Sequence, residues 1–238
     1  MRILTDPVLG ARVGPLERIA SPAAPGSARA IDAVLLSHLH ADHADLRSLR
    51  RLGADVRVIA PAGAAGWLAD HGCTNAEELA PGQETRVGSV RVSATPAAHD
   101  RRRRPFGAAA DPVGFVVGGS RSIYFAGDTD LFDEMSALAG SIDLALLPIW
   151  GWGPVLGPGH LDPERATTAA LRIAPAVAVP VHWGTFAIGR PARRPRDPGA
   201  PAQRFAELMA ERAPEIAVRV LAPGERLALD GLPGAAVL

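Results

Sequence analysis

The chain has 238 residues, 47% of them hydrophobic, enough to bury a substantial core in one large unit. Its 25 basic side chains, all arginine, balance 25 acidic ones, so no global field draws it to nucleic acid or an anionic membrane. Cys73 is the only cysteine, which excludes an internal disulfide and a cysteine-based zinc knuckle. No apolar run approaches the roughly 20 residues of a membrane-spanning helix, and the first residues lack the apolar stretch of a secretory signal. A soluble cytoplasmic protein without a membrane span is the expectation.

The first strong element is the apolar run Ile31-Asp32-Ala33-Val34-Leu35-Leu36-Ser37, which reads as a strand over 31–37. It delivers His38-Leu39-His40-Ala41-Asp42-His43, three imidazoles and a carboxylate within six residues. Packing does not explain such a string, whereas neutral imidazole and carboxylate are good ligands for zinc and similar divalent ions. A helix over 42–52, a strand over 55–60 and a helix over 61–71 follow, then a strand over 84–95 that leads to His99. Strands over 113–118 and 121–127 come next, the second ending in Asp128. A helix over 130–138, a strand over 143–149 and a helix over 163–173 precede the strand over 176–182, which ends in His182. Asp162 caps that helix and Pro163 suits its first position. The chain closes with a helix over 201–212 and a strand over 216–221. Residues 100–112 and 189–201 read as loops too short to separate domains, so residues 1–238 form a single mixed α/β domain.

One of these groups alone is more simply a capping Asp or a hydrogen-bonded His. Four strand ends aiming metal-type groups the same way make one cluster at one sheet edge.

The ordered set His38, His40, Asp42, His43, His99, Asp128 and His182 resembles the metallo-β-lactamase superfamily. That resemblance implies an αββα four-layer sandwich with a metal site at one edge between two sheets. It implies two divalent ions, with zinc expected and Mn2+ or Fe2+ as alternatives. His38, His40 and His99 would hold the first, Asp42, His43 and His182 the second, and Asp128 would bridge them. Within the superfamily, Leu4-Thr5-Asp6-Pro7, Ala126-Gly127-Asp128-Thr129, Gly159-His160-Leu161-Asp162-Pro163-Glu164 and Pro180-Val181-His182-Trp183-Gly184 are similar to one branch. It contains the ascorbate-6-phosphate lactonase and the phospholipase D acting on N-acyl-phosphatidylethanolamine. Such proteins usually carry an extra β-hairpin before the Thr-Asp-Pro segment. Here that segment nearly opens the chain, so the expectation is a fold lacking the usual N-terminal hairpin, through true loss or a start site placed downstream.

The chemistry implied is metal-assisted hydrolysis, in which paired cations make hydroxide available near neutral pH. No Ser–His–Asp arrangement competes with it, and Ser37 reads as a structural hydroxyl. Asp42 and His160 are the candidate catalytic residues, Asp42 for orienting or deprotonating water and His160 for contacting substrate or donating a proton. Candidate substrate contacts are Trp150 and Trp152, as pocket walls, and Arg101 and Arg102, from the run Arg101–Arg104, as grips for an anionic group. Core anchoring for the Trp pair and a solvated loop for the Arg run are the simpler readings, the same holding for Arg190, Arg193, Arg194 and Arg196. The expected partner is a small-molecule substrate, a phosphodiester, lactone or related ester, and no nucleic acid. The alternatives are an iron-dependent redox enzyme of the same fold, RNA processing, disfavoured by the neutral charge balance, or a metal-binding protein without activity.

Overall fold

Apolar alternation along short central strands sorts this chain into layers. The computed structural model describes residues 1–22, 26, 28–103, 107–151, 156–189 and 197–234. In chain order its elements are β1 (Ile3–Thr5), β2 (Arg12–Val13), β3 (Leu16–Arg18), β4 (Ala33–Leu35), α1 (Leu46–Leu52), β5 (Val58–Pro61), α2 (Ala65–Asp70) and β6 (Ala76–Leu79). Then come β7 (Glu84–Val87), β8 (Val90–Pro96), β9 (Val113–Gly118), β10 (Ser122–Phe125), a 3-10 turn (Asp133–Leu138) and β11 (Leu144–Pro148). The last are α3 (Pro163–Ile173), β12 (Val177–Val181), β13 (Phe186–Ile188), α4 (Ala200–Arg212) and β14 (Ala217–Val218). Among the described residues they form a parallel sheet in the order β1-β4-β5-β6, a mixed sheet β14-β12-β11-β10-β9-β8-β7 and a small sheet β13-β3-β2.

Ala33, Leu35 and Ile59 turn one way and meet Val92, Ala94, Phe115 and Phe125 of the mixed sheet. Their alternates Val34, Leu36, Val58 and Ala60 turn the other way and pack on Leu49 of α1 and Leu68 of α2. On the far face of the mixed sheet, Tyr124, Ala145, Leu147 and Ala178 meet Ala166, Ala169 and Ile173 of α3 and Phe205 and Met209 of α4. The result is helices, sheet, sheet, helices: the αββα sandwich of mixed α/β class that the sequence implies. Phe205 and Met209 are fully buried, each stabilising the α4 contact by roughly 1.5–3 kcal/mol.

Strand direction creates the edge where chemistry gathers. β10, β11 and β12 are parallel, while β9 runs against both β10 and β8. The carboxyl ends of β8, β10, β11 and β12 therefore emerge together, and those of β1 and β4 are neighbours in the other sheet.

Several boundaries differ from expectation for identifiable reasons. The strand expected over 84–95 is a hairpin, because Gly88 at φ +55 allows a two-residue turn between β7 and β8. The helix expected from residue 42 starts at Leu46, where the Asp45 side chain accepts from Ser48 N at 3.1 Å. Residues 42–44 belong instead to a turn closed by His43 N and Ala44 N on the His40 carbonyl. The stretch 130–138 winds as 3-10 helix, and the strand over 216–221 shrinks to β14. β1, β2, β3, β6 and β13 are too short to show periodicity. β2 and β3 make a hairpin after Pro7, and β13 extends it into the third sheet. Asp162 caps α3 as its sequence implies, accepting from Arg165 N at 2.7 Å. No helix among the described residues is long and apolar enough to cross a membrane.

Candidate metal centre

Every metal-type side chain expected from the sequence reaches one edge of the sandwich. β4 runs out into Ser37–His43, His99 follows β8, Asp128 follows β10, and His182 follows β12 directly at φ +63. His38, His40 and His99 place ligand atoms within 4.8 Å of one another, as do Asp42, His43 and His182. The approach of β4 and β10 depends on Gly127, at φ +62, where any Cβ would sit 2.4 Å from the Ser37 Cβ. Gly127→Ala combines left-handed backbone strain with overpacking, and it is expected to cost about 2–5 kcal/mol of stability. Thermal denaturation of the variant checks this; an unchanged midpoint would mean the two strands separate without cost.

The hydrogen bonds fix which nitrogen of each imidazole faces inward. The Ser37 hydroxyl donates to Asp6 Oδ2 at 2.5 Å, so at 2.9 Å it must accept from His38 Nδ1–H. His43 Nδ1 donates to Asp6 Oδ2 at 2.7 Å, His99 Nδ1 to the Gly159 carbonyl at 2.6 Å and His182 Nδ1 to the Trp150 carbonyl at 2.6 Å. His40 is reversed, its Nε2 donating to the Arg102 carbonyl at 2.9 Å. With one proton of each ring held outward, the other nitrogen of each ring faces inward. Those inward nitrogens confront each other: His99 Nε2 lies 3.0 Å from His40 Nδ1, and His43 Nε2 lies 3.1 Å from His182 Nε2. His38 Nε2 and Asp128 Oδ1 are buried with no hydrogen-bond partner. Closely set inward nitrogens and buried atoms without partners are an arrangement that a bound cation would satisfy, and the donor set fits zinc-type ions.

Electrostatics agree. Asp128 Oδ2 lies 3.2 Å from His43 Nε2, and its Oδ1 is 3.5 Å from His182 Nε2. Burial opposes its charge, yet His182 and His43 hold its carboxyl well below the usual carboxylate range. Burial likewise opposes a charged His43, but Asp128 and Asp6 outweigh it and lift His43 well above the usual imidazole range. Burial, and then the neighbouring His43, press His38 well below that range, and burial brings His99 down to about 4. His38 and His99 are therefore neutral at pH 7, the form in which an imidazole can bind a metal ion.

Residues 1–183 match the beta-lactamase superfamily domain. The chain belongs to that superfamily. An uncharacterized protein of Mycobacterium tuberculosis is 32% identical over 249 residues, covering 95% of this chain but only 63% of its own length. The chain thus spans less than two thirds of that relative. A UPF0173 metal-dependent hydrolase of Deinococcus radiodurans is 38% identical over 197 residues, 81% of this chain and 78% of that protein. Among solved structures, the metallo hydrolase Igni18 of Ignicoccus hospitalis is similar at TM-score 0.64 and 26% identity, over 87% of this chain and 84% of that one.

In this beta-lactamase superfamily chain the remaining candidates separate by position. Asp42 Oδ2 is 3.9 Å from His43 Nε2, and His160 Nε2 is 3.5 Å from Asp128 Oδ2, so both reach the centre. The Trp150 ring packs on the core beneath α3, and only its carbonyl serves the site. Arg101 is exposed and pairs with Asp111 at 2.8 Å; Arg102 contributes its carbonyl to His40. Arg103 donates to the Leu39 and Ala44 carbonyls and lies over the Trp67 ring, bracing the ligand turn from outside. Trp152, Arg104, Arg190, Arg193, Arg194 and Arg196 lie outside the described residues. Asp6 and the carbonyls of Gly159, Trp150 and Arg102 were not anticipated as parts of the site. For Asp6 the available signal is its place in Leu4-Thr5-Asp6-Pro7, a string that carries the branch resemblance but assigns Asp6 no role in the site.

Proposed function

We propose that this chain is a metal-dependent hydrolase with a dinuclear centre, zinc being the ion its donors suit best. The inward convergence of five imidazole nitrogens around the Asp128 carboxylate carries this reading. His38, His40 and His99 would hold one ion and Asp42, His43 and His182 the other, with the Asp128 carboxylate available to both. When bound, two such ions activate water and neutralise charge developing on a carbonyl or phosphoryl oxygen. Asp6 and Ser37 keep His43 and His38 in the liganding tautomer, and the Gly159, Trp150 and Arg102 carbonyls do the same for His99, His182 and His40. Asp42, half-buried at the cavity, orients the attacking water and accepts its proton.

His160 is the second catalytic group. Its Nδ1 faces the Gly157 and Pro158 carbonyls, both at 3.2 Å, which leaves Nε2 toward the centre, where the ring, once it has taken a second proton from solvent, would deliver that proton to the leaving group. His160→Gln is expected to lower kcat about 10²-fold with metal content unchanged, measured by steady-state kinetics beside elemental analysis. Normal turnover would make it a structural residue at the entrance to α3.

The substrate class is a phosphodiester, lactone or related small ester, as the likeness to the lactonase and phospholipase D branch implies. The deciding experiment is elemental analysis of the purified chain coupled to a screen of phosphodiesters, lactones and thioesters. Zinc in the protein, and hydrolysis of one class that chelation removes and zinc restores, is the expected result. Bound metal without turnover of any class would make it a metal-binding protein, and iron with oxygen-dependent chemistry would favour the redox alternative.

A further inference from the structure

The third sheet brings a single cation into the cavity beside the metal centre. Arg18 ends β3 in register with Phe186 of β13, and its guanidinium carbon lies 4.5 Å from the centroid of that ring. Its Nε donates to the Gly10 carbonyl at 3.1 Å, and one terminal nitrogen donates to the Val8 carbonyl. These contacts hold the fork still while leaving N–H donors unspent. Arg18 lines a cavity of about 260 Å³ that also touches Asp42, His43, Asp128 and His182. Much of the remaining wall is apolar: Val8, Phe125, Val181, Trp183 and Phe186.

Among the described residues no carboxylate pairs with Arg18, whereas Arg12 pairs with Glu17 and Arg101 with Asp111. Burial lowers its pKa below the usual arginine value, so the charge is partly stripped of water without a counter-ion in return. A half-buried, clamped cation with donors to spare, set among the apolar residues of this wall, is a ready seat for an anion.

We propose that Arg18 receives an oxyanion of the substrate, a carboxylate or phosphate other than the group that reacts. The substrate of the centre is then a small anionic ester or lactone whose apolar body lies against Phe186 and Trp183. This rests on the hydrolase reading only in taking the cavity's occupant to be the substrate.

The test is calorimetric titration of the metal-loaded chain with 4-phenylbutyrate, 2-phenylethyl phosphate and neutral 4-phenylbutyramide. Wild type is expected to bind at least one anion about ten-fold or more tightly than the amide, and the tighter of the two identifies the oxyanion. Arg18→Gln is expected to cut that preference about ten-fold while leaving affinity for the amide within two-fold. Arg18→Lys, which keeps the charge, covers the case in which the Gln variant fails to fold; it should retain most of the preference. No anion preference in wild type, an undiminished one in Arg18→Gln, or its complete loss in a folded Arg18→Lys would each overturn the assignment. Binding is read without turnover, so these outcomes stand apart from the ester screen, where the hydrolase reading succeeds or fails.

Discussion

Asp128→Ala is expected to yield a folded protein that no longer retains its metal and hydrolyses substrate on the order of 10³-fold more slowly. The carboxylate is 3% exposed and stands within 3.5 Å of His43, His182 and His160 Nε2 atoms, so its loss removes the one anion shared by both halves of the centre. Without it Asp42 is the remaining carboxylate of the proposed ligand set, and it stands with His43 and His182 alone. His40→Ala should act similarly on one half, since His40 Nδ1 is the partner of His99 Nε2 across 3.0 Å. Asp133→Ala is the control: that carboxylate is fully exposed on the same connection, and its removal should change neither metal content nor rate. Elemental analysis and initial rates on the three variants check this. Full metal and full rate in both Asp128→Ala and His40→Ala would dismiss the centre.

The candidate site was legible because two independent signals coincide on it. His38, His99, Asp128 and His182 are side chains of metal-binding type, and each follows an apolar run long enough to read as a strand. The layered fold was legible for the same reason, since β4, β5, β10, β11 and β12 lie within apolar, β-branched or aromatic runs. What stayed hidden works through the backbone or over distance. Trp150, Gly159 and Arg102 serve the site by carbonyls, which every residue possesses and no pattern advertises. Arg101, two residues after His99, pairs its guanidinium with Asp111 on the exposed side, a contact between residues ten positions apart that the sequence alone does not announce. Arg18, eighty-one positions before His99 in the chain, reaches the cavity only because β13 pairs with β3 after His182. No local reading of two- and three-residue strands anticipates that pairing.

Asp6→Ala is expected to weaken metal binding about 10–100-fold although Asp6 is not placed among the metal's ligands. Its carboxylate accepts from Ser37 N at 2.7 Å, from Ser37 Oγ at 2.5 Å and from His43 Nδ1 at 2.7 Å, joining β1 to the ligand turn 31 and 37 residues away. The backbone there is at φ +39, a conformation that a short polar side chain tolerates better than most. Alanine would strand the Ser37 amide and the His43 ring proton in a buried place, costing about 1–3 kcal/mol for each unsatisfied group. It would also free His43 to carry its proton on Nε2, the nitrogen that must face the cation. Asp6→Asn separates the two effects. It preserves shape and can still accept from Ser37 N, so its metal-free melting temperature should stay near wild type. Its amide cannot supply the charge that holds His43 Nδ1–H outward, and its zinc affinity, measured by competition with a chelating dye, should fall nearly as far as in the alanine variant. Wild-type zinc affinity in Asp6→Asn would show that the tautomer of His43 is set by the metal itself and that Asp6 does no more than tie β1 to the ligand turn.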